Sequence, residues 1–170
     1  MSWNIFLTIA HIVGTVLGVG GATFAEIFYM KAMKDGHVDP TESDFLKTSY
    51  RVLRIGMILL ILSGFGYFLL FRIEGKEFLL YNDRFLAKVW LTIIIFFNAL
   101  LIQTRKIPLW LGGALSITSW YAALVLGIWR GIPASLFAIT LWYIAAVLVV
   151  ALILHVIRKA YLKAPPQIQQ

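Results

Sequence analysis

Apolar residues gather into five runs, 5–30, 52–71, 86–102, 109–129 and 134–157, and charges, glycine and proline return between them. Crossing a hydrocarbon core takes about 20 mostly apolar residues in a helix, and each run is close to or above that length. Together they use most of the chain and leave no soluble domain. The pattern therefore predicts an all-α polytopic membrane protein, a single transmembrane domain over residues 1–170 folded as a five-helix bundle. Composition agrees, with 61% hydrophobic and 14% charged residues.

Charges between the runs set the expected topology. Lys31, Lys34, Lys47, Arg51, Arg54, Arg105, Lys106, Arg158, Lys159 and Lys163 fall on one side, and Arg72, Lys76, Arg84, Lys88 and Arg130 on the other. Positive residues favour the cytoplasmic side, so the amino terminus is expected outside and the carboxyl terminus inside a cytoplasmic-type inner membrane. The net charge of +7 follows from this bias, which leaves no reason to infer a nucleic acid partner. No Lys or Arg precedes Lys31 and the first run is too long for a signal h-region, so it is expected to stay as a helix. Residues 31–49 read as a cytoplasmic loop rich in turn and cap chemistry, with a helix start at Thr41 or Ser43 and a solvated His37.

The first run carries His11, and an ionisable group at that depth must face the bundle interior and find a partner. Ala10, Gly14, Gly18 and Ala22 recur at four-residue spacing, with Gly14, Thr15 and Gly18 on the side of His11. Such a bare face has two readings. It lets another helix, or a second protomer, approach closely, or it lets a flat macrocycle lie against the helix while the imidazole reaches its metal. The fourth run has a similar face, with Gly112, Ser116, Ser119, Ala123 and Gly127. The chain has no cysteine, so thiolate haem, iron–sulfur and thiolate zinc sites are excluded.

Counting depth at about 1.5 Å per residue sorts the remaining polar groups into two layers. Lys88, Trp90, Trp142 and Tyr143 share the outer layer with His11; Glu26, Arg51, Arg54 and His155 share the inner one. An ion pair of Glu26 with Arg51 or Arg54 is the economical reading of a carboxylate near a helix end. His11 and His155 are too far apart in depth to hold one haem, roughly 20 Å by the same rise. Met57 is the nearest soft partner to His155, which gives a weaker second metal site. Lys88 either snorkels to the interface or lines a pocket. Trp3, Trp110 and Trp129 suit the interfacial belts. Trp120 and Tyr121 fall mid-membrane, where their polar ends need partners.

A first-helix histidine beside glycines, the string Arg51-Val-Leu-Arg54-Ile-Gly-Met-Ile-Leu opening the second helix, and Leu86-Ala87-Lys88-Val-Trp-Leu opening the third form an ordered set. The set resembles the small membrane proteins that include HemJ-type protoporphyrinogen IX oxidases, together with copper resistance D membrane domains and related uncharacterised integral membrane families. The resemblance covers roughly the first three helices. It implies that His11 is tied to haem b and that Lys88 is functionally required. Two features depart from that family: Leu86 stands where its third helix usually has a histidine, and a fifth helix extends its four-helix plan.

The expected function is binding of haem b or another tetrapyrrole in the outer half, for haem-linked redox chemistry or porphyrin handling by a HemJ-like membrane oxidoreductase. His11 would be the axial ligand, Gly14 and Gly18 the cradle, and Trp90, Trp142 and Tyr143 the surround. Lys88 would pair a propionate or stand as a second ligand when deprotonated, and Lys88 and Arg54 are the candidate catalytic groups. The alternatives are a small transporter, with Glu26, Arg54, Ser116, Thr118 and Ser119 lining a path, and an accessory subunit of a membrane complex. Partners beyond the lipid bilayer would meet the Gly14, Gly18, Gly112 and Ser116 faces.

Overall fold

The computed structural model describes residues 3–33, 38–129, 131 and 133–163, with side chains described through residue 160. Lys34, His37, Arg130 and the Lys163 side chain, all used in the sequence reading, lie outside the described residues. Five helices follow one another: α1 Trp3–Ala32, α2 Pro40–Ile73, α3 Asp83–Gln103, α4 Leu109–Ile128 and α5 Leu136–Lys163. All five are long and apolar enough to cross a membrane, so the polytopic all-α class holds.

The largest departure from the expected bounds is the start of α2, which begins well before residue 52. Asp39 Oδ1 accepts the Glu42 N–H at 2.7 Å while Glu42 Oε2 accepts the Asp39 N–H at 3.1 Å. This reciprocal capping box, with Pro40 just inside it, starts a helix whatever the polarity of the residues that follow. The helix start expected at Thr41 or Ser43 therefore lies at Pro40, and the stretch read as a loop up to residue 49 is helix from there onward, which a hydropathy threshold cannot see. A short 3-10 turn over Glu77–Tyr81 links α2 to α3, and Asn82 caps α3 through the Arg84 N–H at 2.9 Å. Arg84 then reaches the far end of α4, donating from Nε to the Leu126 carbonyl at 2.8 Å and from a terminal nitrogen to the Gly127 carbonyl at 3.0 Å. A cation there satisfies carbonyls that the helix end leaves open and meets the negative end of its dipole.

The α1–α2 pair is the most extensively packed in the bundle. Buried positions on α2 fall at Ser49, Leu53, Gly56, Leu60 and Ser63, alternating four and three residues apart, which is the stripe of a coiled-coil seam. Facing them on α1 are Gly14, Gly18 and Gly21, also buried. The approach is close enough that a Cβ on Gly56 would lie 2.7 Å from the Gly18 nitrogen and 2.8 Å from the Gly14 carbonyl oxygen. Small residues let helix backbones meet in this way, and within a bilayer that close packing replaces the hydrophobic force available in water. Trp120 of α4, fully buried, sits directly over Gly18 and joins Ala22, Leu53, Leu60 and Ile95 in one core cluster. A second cluster, Ala87, Leu91, Leu126, Ile139 and Tyr143, binds α3, α4 and α5 together.

Candidate functional site

His11 lies between α1 and α2 at the Ser63 end of the seam. Its Nδ1 is 2.9 Å from Ser63 Oγ, and its ring meets the Tyr67 ring edge-on at 5.8 Å. One turn away, the Thr8 and Tyr67 hydroxyls are 2.6 Å apart. The Ser63 hydroxyl is also 2.6 Å from the Leu59 carbonyl of its own helix. A carbonyl can only accept, so the single hydroxyl proton goes to Leu59 and Ser63 accepts from His11. Nδ1 then carries a proton, and in the neutral imidazole the lone pair is on Nε2. A second residue that fixes the tautomer in this manner is the usual support of a metal-bound histidine. Lys88 of α3 lies near enough for its charge to act on His11, so the structure brings these two sequence candidates into one neighbourhood.

The other candidates for a haem pocket are occupied elsewhere. Trp90 and Tyr143 pack on each other edge-to-face at 5.2 Å, and the Tyr143 hydroxyl meets Ser119 Oγ at 2.8 Å. Trp142 is exposed on the outer surface of α5. Gly14 and Gly18 are buried, one against the α2 backbone at Gly56 and Leu60, the other under Trp120. The bare face that offered room for a macrocycle is therefore filled from within the chain. Gly112 is buried against Ile102 and Ile107, and its carbonyl accepts from Asn98 Nδ2 at 2.9 Å. A second protomer would have to open these contacts to use the same faces.

The inner layer is organised differently from the sequence reading. Glu26, buried on α1, pairs with Arg158 of α5; Arg51 and Arg54 are exposed on α2, and Arg54 Nε donates to the Tyr50 carbonyl at 3.3 Å. The two arginines do share the depth of Glu26, but they flank Leu53 and so point away from the seam that faces α1. The Arg158 guanidinium also lies 5.0 Å from the centre of the Tyr29 ring. Gly113 of α4 faces the Glu26 carboxylate so closely that any Cβ there would collide with it.

The proposed transport path loses its lining in the same way. Thr118 and Ser119 are buried and donate to the Ala114 and Leu115 carbonyls of their own helix at 2.8 and 2.6 Å. Ser116 borders a small cavity beside Glu26 and Tyr50. His155 and Met57 are not brought together: His155 is exposed at a groove on α5 and Met57 packs on the first core cluster. Among the described residues no group of three or more His, Asp or Glu is arranged to hold a metal ion.

Comparison with family models, curated proteins and solved structures gives no match for this chain. The functional reading accordingly rests on its own residues.

Proposed function

We propose that this integral membrane protein works through His11, and that the group His11 serves is a metal tetrapyrrole of the haem b class. The observation that carries the reading is the Ser63 hydrogen bond, which orients the imidazole through Nδ1 and leaves Nε2 as the nitrogen for a ligand, in a part of the membrane where an unemployed ionisable group is costly. The fit is one of donor chemistry. With no cysteine in the chain, imidazole is the natural iron ligand, and a neighbouring cation, Lys88, suits a propionate. The Gly14 and Gly18 face does not supply the cradle, since α2 and Trp120 fill it. The ring would instead have to sit at the His11 end of α1, where Lys88 supplies a nearby charge. Bound there, haem iron would supply one-electron chemistry; the chain itself would contribute the oriented imidazole and a compensating charge.

The purified full chain, expressed with adequate haem supply, is expected to show a Soret band. His11→Ala should abolish it, and Ser63→Ala should shift or weaken it because the ring loses its orienting acceptor. A colourless, folded preparation that takes up no added hemin would overturn the tetrapyrrole reading and favour the transporter or accessory-subunit alternatives.

A further inference from the structure

A groove of about 550 Å³ opens at the other end of the bundle, away from His11, and its size is within the roughly 300–1,000 Å³ typical of small-molecule sites. Its apolar wall is Met30 of α1, Met33 just past the end of that helix and Trp110 from the start of α4. Methionine side chains are flexible and polarisable, and adapt to irregular apolar occupants. The opposite edge is His155, Arg158 and Lys159 of α5, which share one helix face by their three- and four-residue spacing. No carboxylate lines the groove among the described residues.

Arg158 connects the groove to the bundle interior. One terminal nitrogen is held by Glu26 and the guanidinium is stacked near Tyr29, so its position is fixed. Its Nε is buried and has no hydrogen-bond partner within the described structure. That nitrogen has no exposed surface, so a groove occupant meets the remaining, partly exposed edge of the guanidinium, the side chain being 14% exposed. Lys159, exposed beside it, adds a charge that Glu26 does not neutralise. The location, where the apolar run of α5 gives way to Arg158 and Lys159, is the level of lipid headgroups.

We infer that this groove binds an anionic phospholipid, with an acyl chain against Met30, Met33 and Trp110 and the phosphate against Lys159 and the exposed edge of the Arg158 guanidinium. Basic pockets between membrane helices recognise acidic headgroups in this manner. A free phosphate would gain the cations but nothing from the apolar wall, so the lipid is the favoured source of the anion.

The test is native mass spectrometry of the delipidated full chain, offered equal amounts of phosphatidylglycerol and phosphatidylcholine with identical acyl chains. The wild type should retain phosphatidylglycerol at least about fivefold better, and Lys159→Gln should cut that preference by roughly fivefold, the worth of one interfacial cation. Met30→Trp, which fills the groove and leaves the cations in place, should lower retention of both lipids. Equal retention by the wild type, a preference unchanged in Lys159→Gln, retention unchanged in Met30→Trp, or displacement by inorganic phosphate as effective as by unlabelled phosphatidylglycerol would each overturn the proposal. So would a lipid-free dimer in which a second copy of the chain covers the groove.

Discussion

Glu26→Gln tests the charge pairing with almost no change in shape. The carboxylate and guanidinium side chains are only 4% and 14% exposed, so solvent screening removes little of their interaction. Removing one partner of a buried pair leaves an uncompensated charge and typically costs about 3–5 kcal/mol. Two features keep the expected loss near the lower bound. The glutamine carbonyl still accepts a hydrogen bond from Arg158, and the Tyr29 ring continues to favour the cation by about 0.5–1 kcal/mol. The expectation is a loss of about 3 kcal/mol, read as a shift in the unfolding midpoint when the protein in mixed micelles is titrated with denaturing detergent and followed by circular dichroism.

The double variant Glu26→Leu, Arg158→Met separates charge from packing. Replacing a buried pair with apolar residues of similar size is often neutral or stabilising by about 1–4 kcal/mol, so the double variant should be at least as stable as the wild type. Gly113→Ala supplies an independent route, because its Cβ would push the carboxylate away from Arg158. If Glu26→Gln unfolds within about 0.5 kcal/mol of the wild type, the scatter of an ordinary surface substitution, the carboxylate is solvated and the pairing argument is wrong. A double variant as unstable as the worse single one would show that packing, not charge, sets the cost.

Gly56→Ala should destabilise by about 1–3 kcal/mol, the range for overpacking, because its Cβ would meet the backbone of α1 rather than a movable side chain; Gly64→Ala, where a Cβ meets nothing within 4 Å, should be tolerated, and equal effects in the same assay would refute the seam. For topology, reporter fusions at Gln170 and in the loop between Arg72 and Arg84 should report opposite sides, with the carboxyl terminus cytoplasmic. An external carboxyl terminus would contradict the charge bias.

The five helices are legible because each depends on length and composition alone, and the start of α2 is legible once Asp39, Pro40 and Glu42 are read as a capping box rather than as loop polarity. Lateral neighbours are harder. Depth along a helix follows from residue counting, which put Glu26 level with Arg51 and Arg54, but the direction a residue faces needs the seam. That signal was in the sequence: Ser49, Leu53, Gly56, Leu60 and Ser63 form a stripe of small and apolar residues that excludes both arginines. What no spacing gives is the order of helices around α1, and so neither the arrival of Arg158 from α5 nor that of Trp120 from α4 could be read. The bare Gly14 and Gly18 face was correctly seen as an invitation to close approach, yet whether a helix, an indole or a ligand accepts it depends on a side chain about 100 residues away in the chain.

These contacts also limit where a ligand can sit. Lipid tails are as apolar as leucine, so helix association in a bilayer depends on shape fit and on polar links more than on burial. Along α1 the shape fit is in the middle, where Gly14 and Gly18 meet Gly56 and Trp120 closes over Gly18. The polar links flank it: Glu26 with Arg158 toward one end, His11 with Ser63 and the nearby Lys88 toward the other. A flat ring placed at Gly18 would have to expel an indole that is completely buried in the first core cluster, forfeiting several kcal/mol of the kind lost in large core truncations, about 3–5 for a tryptophan. At the His11 end the groups are hydroxyls and an imidazole with a cation nearby, so the tetrapyrrole proposed there would meet polar side chains rather than a buried indole. The same reasoning separates the two proposed sites: one at each polar end of α1, with the steric lock of Gly18 and Trp120 between them.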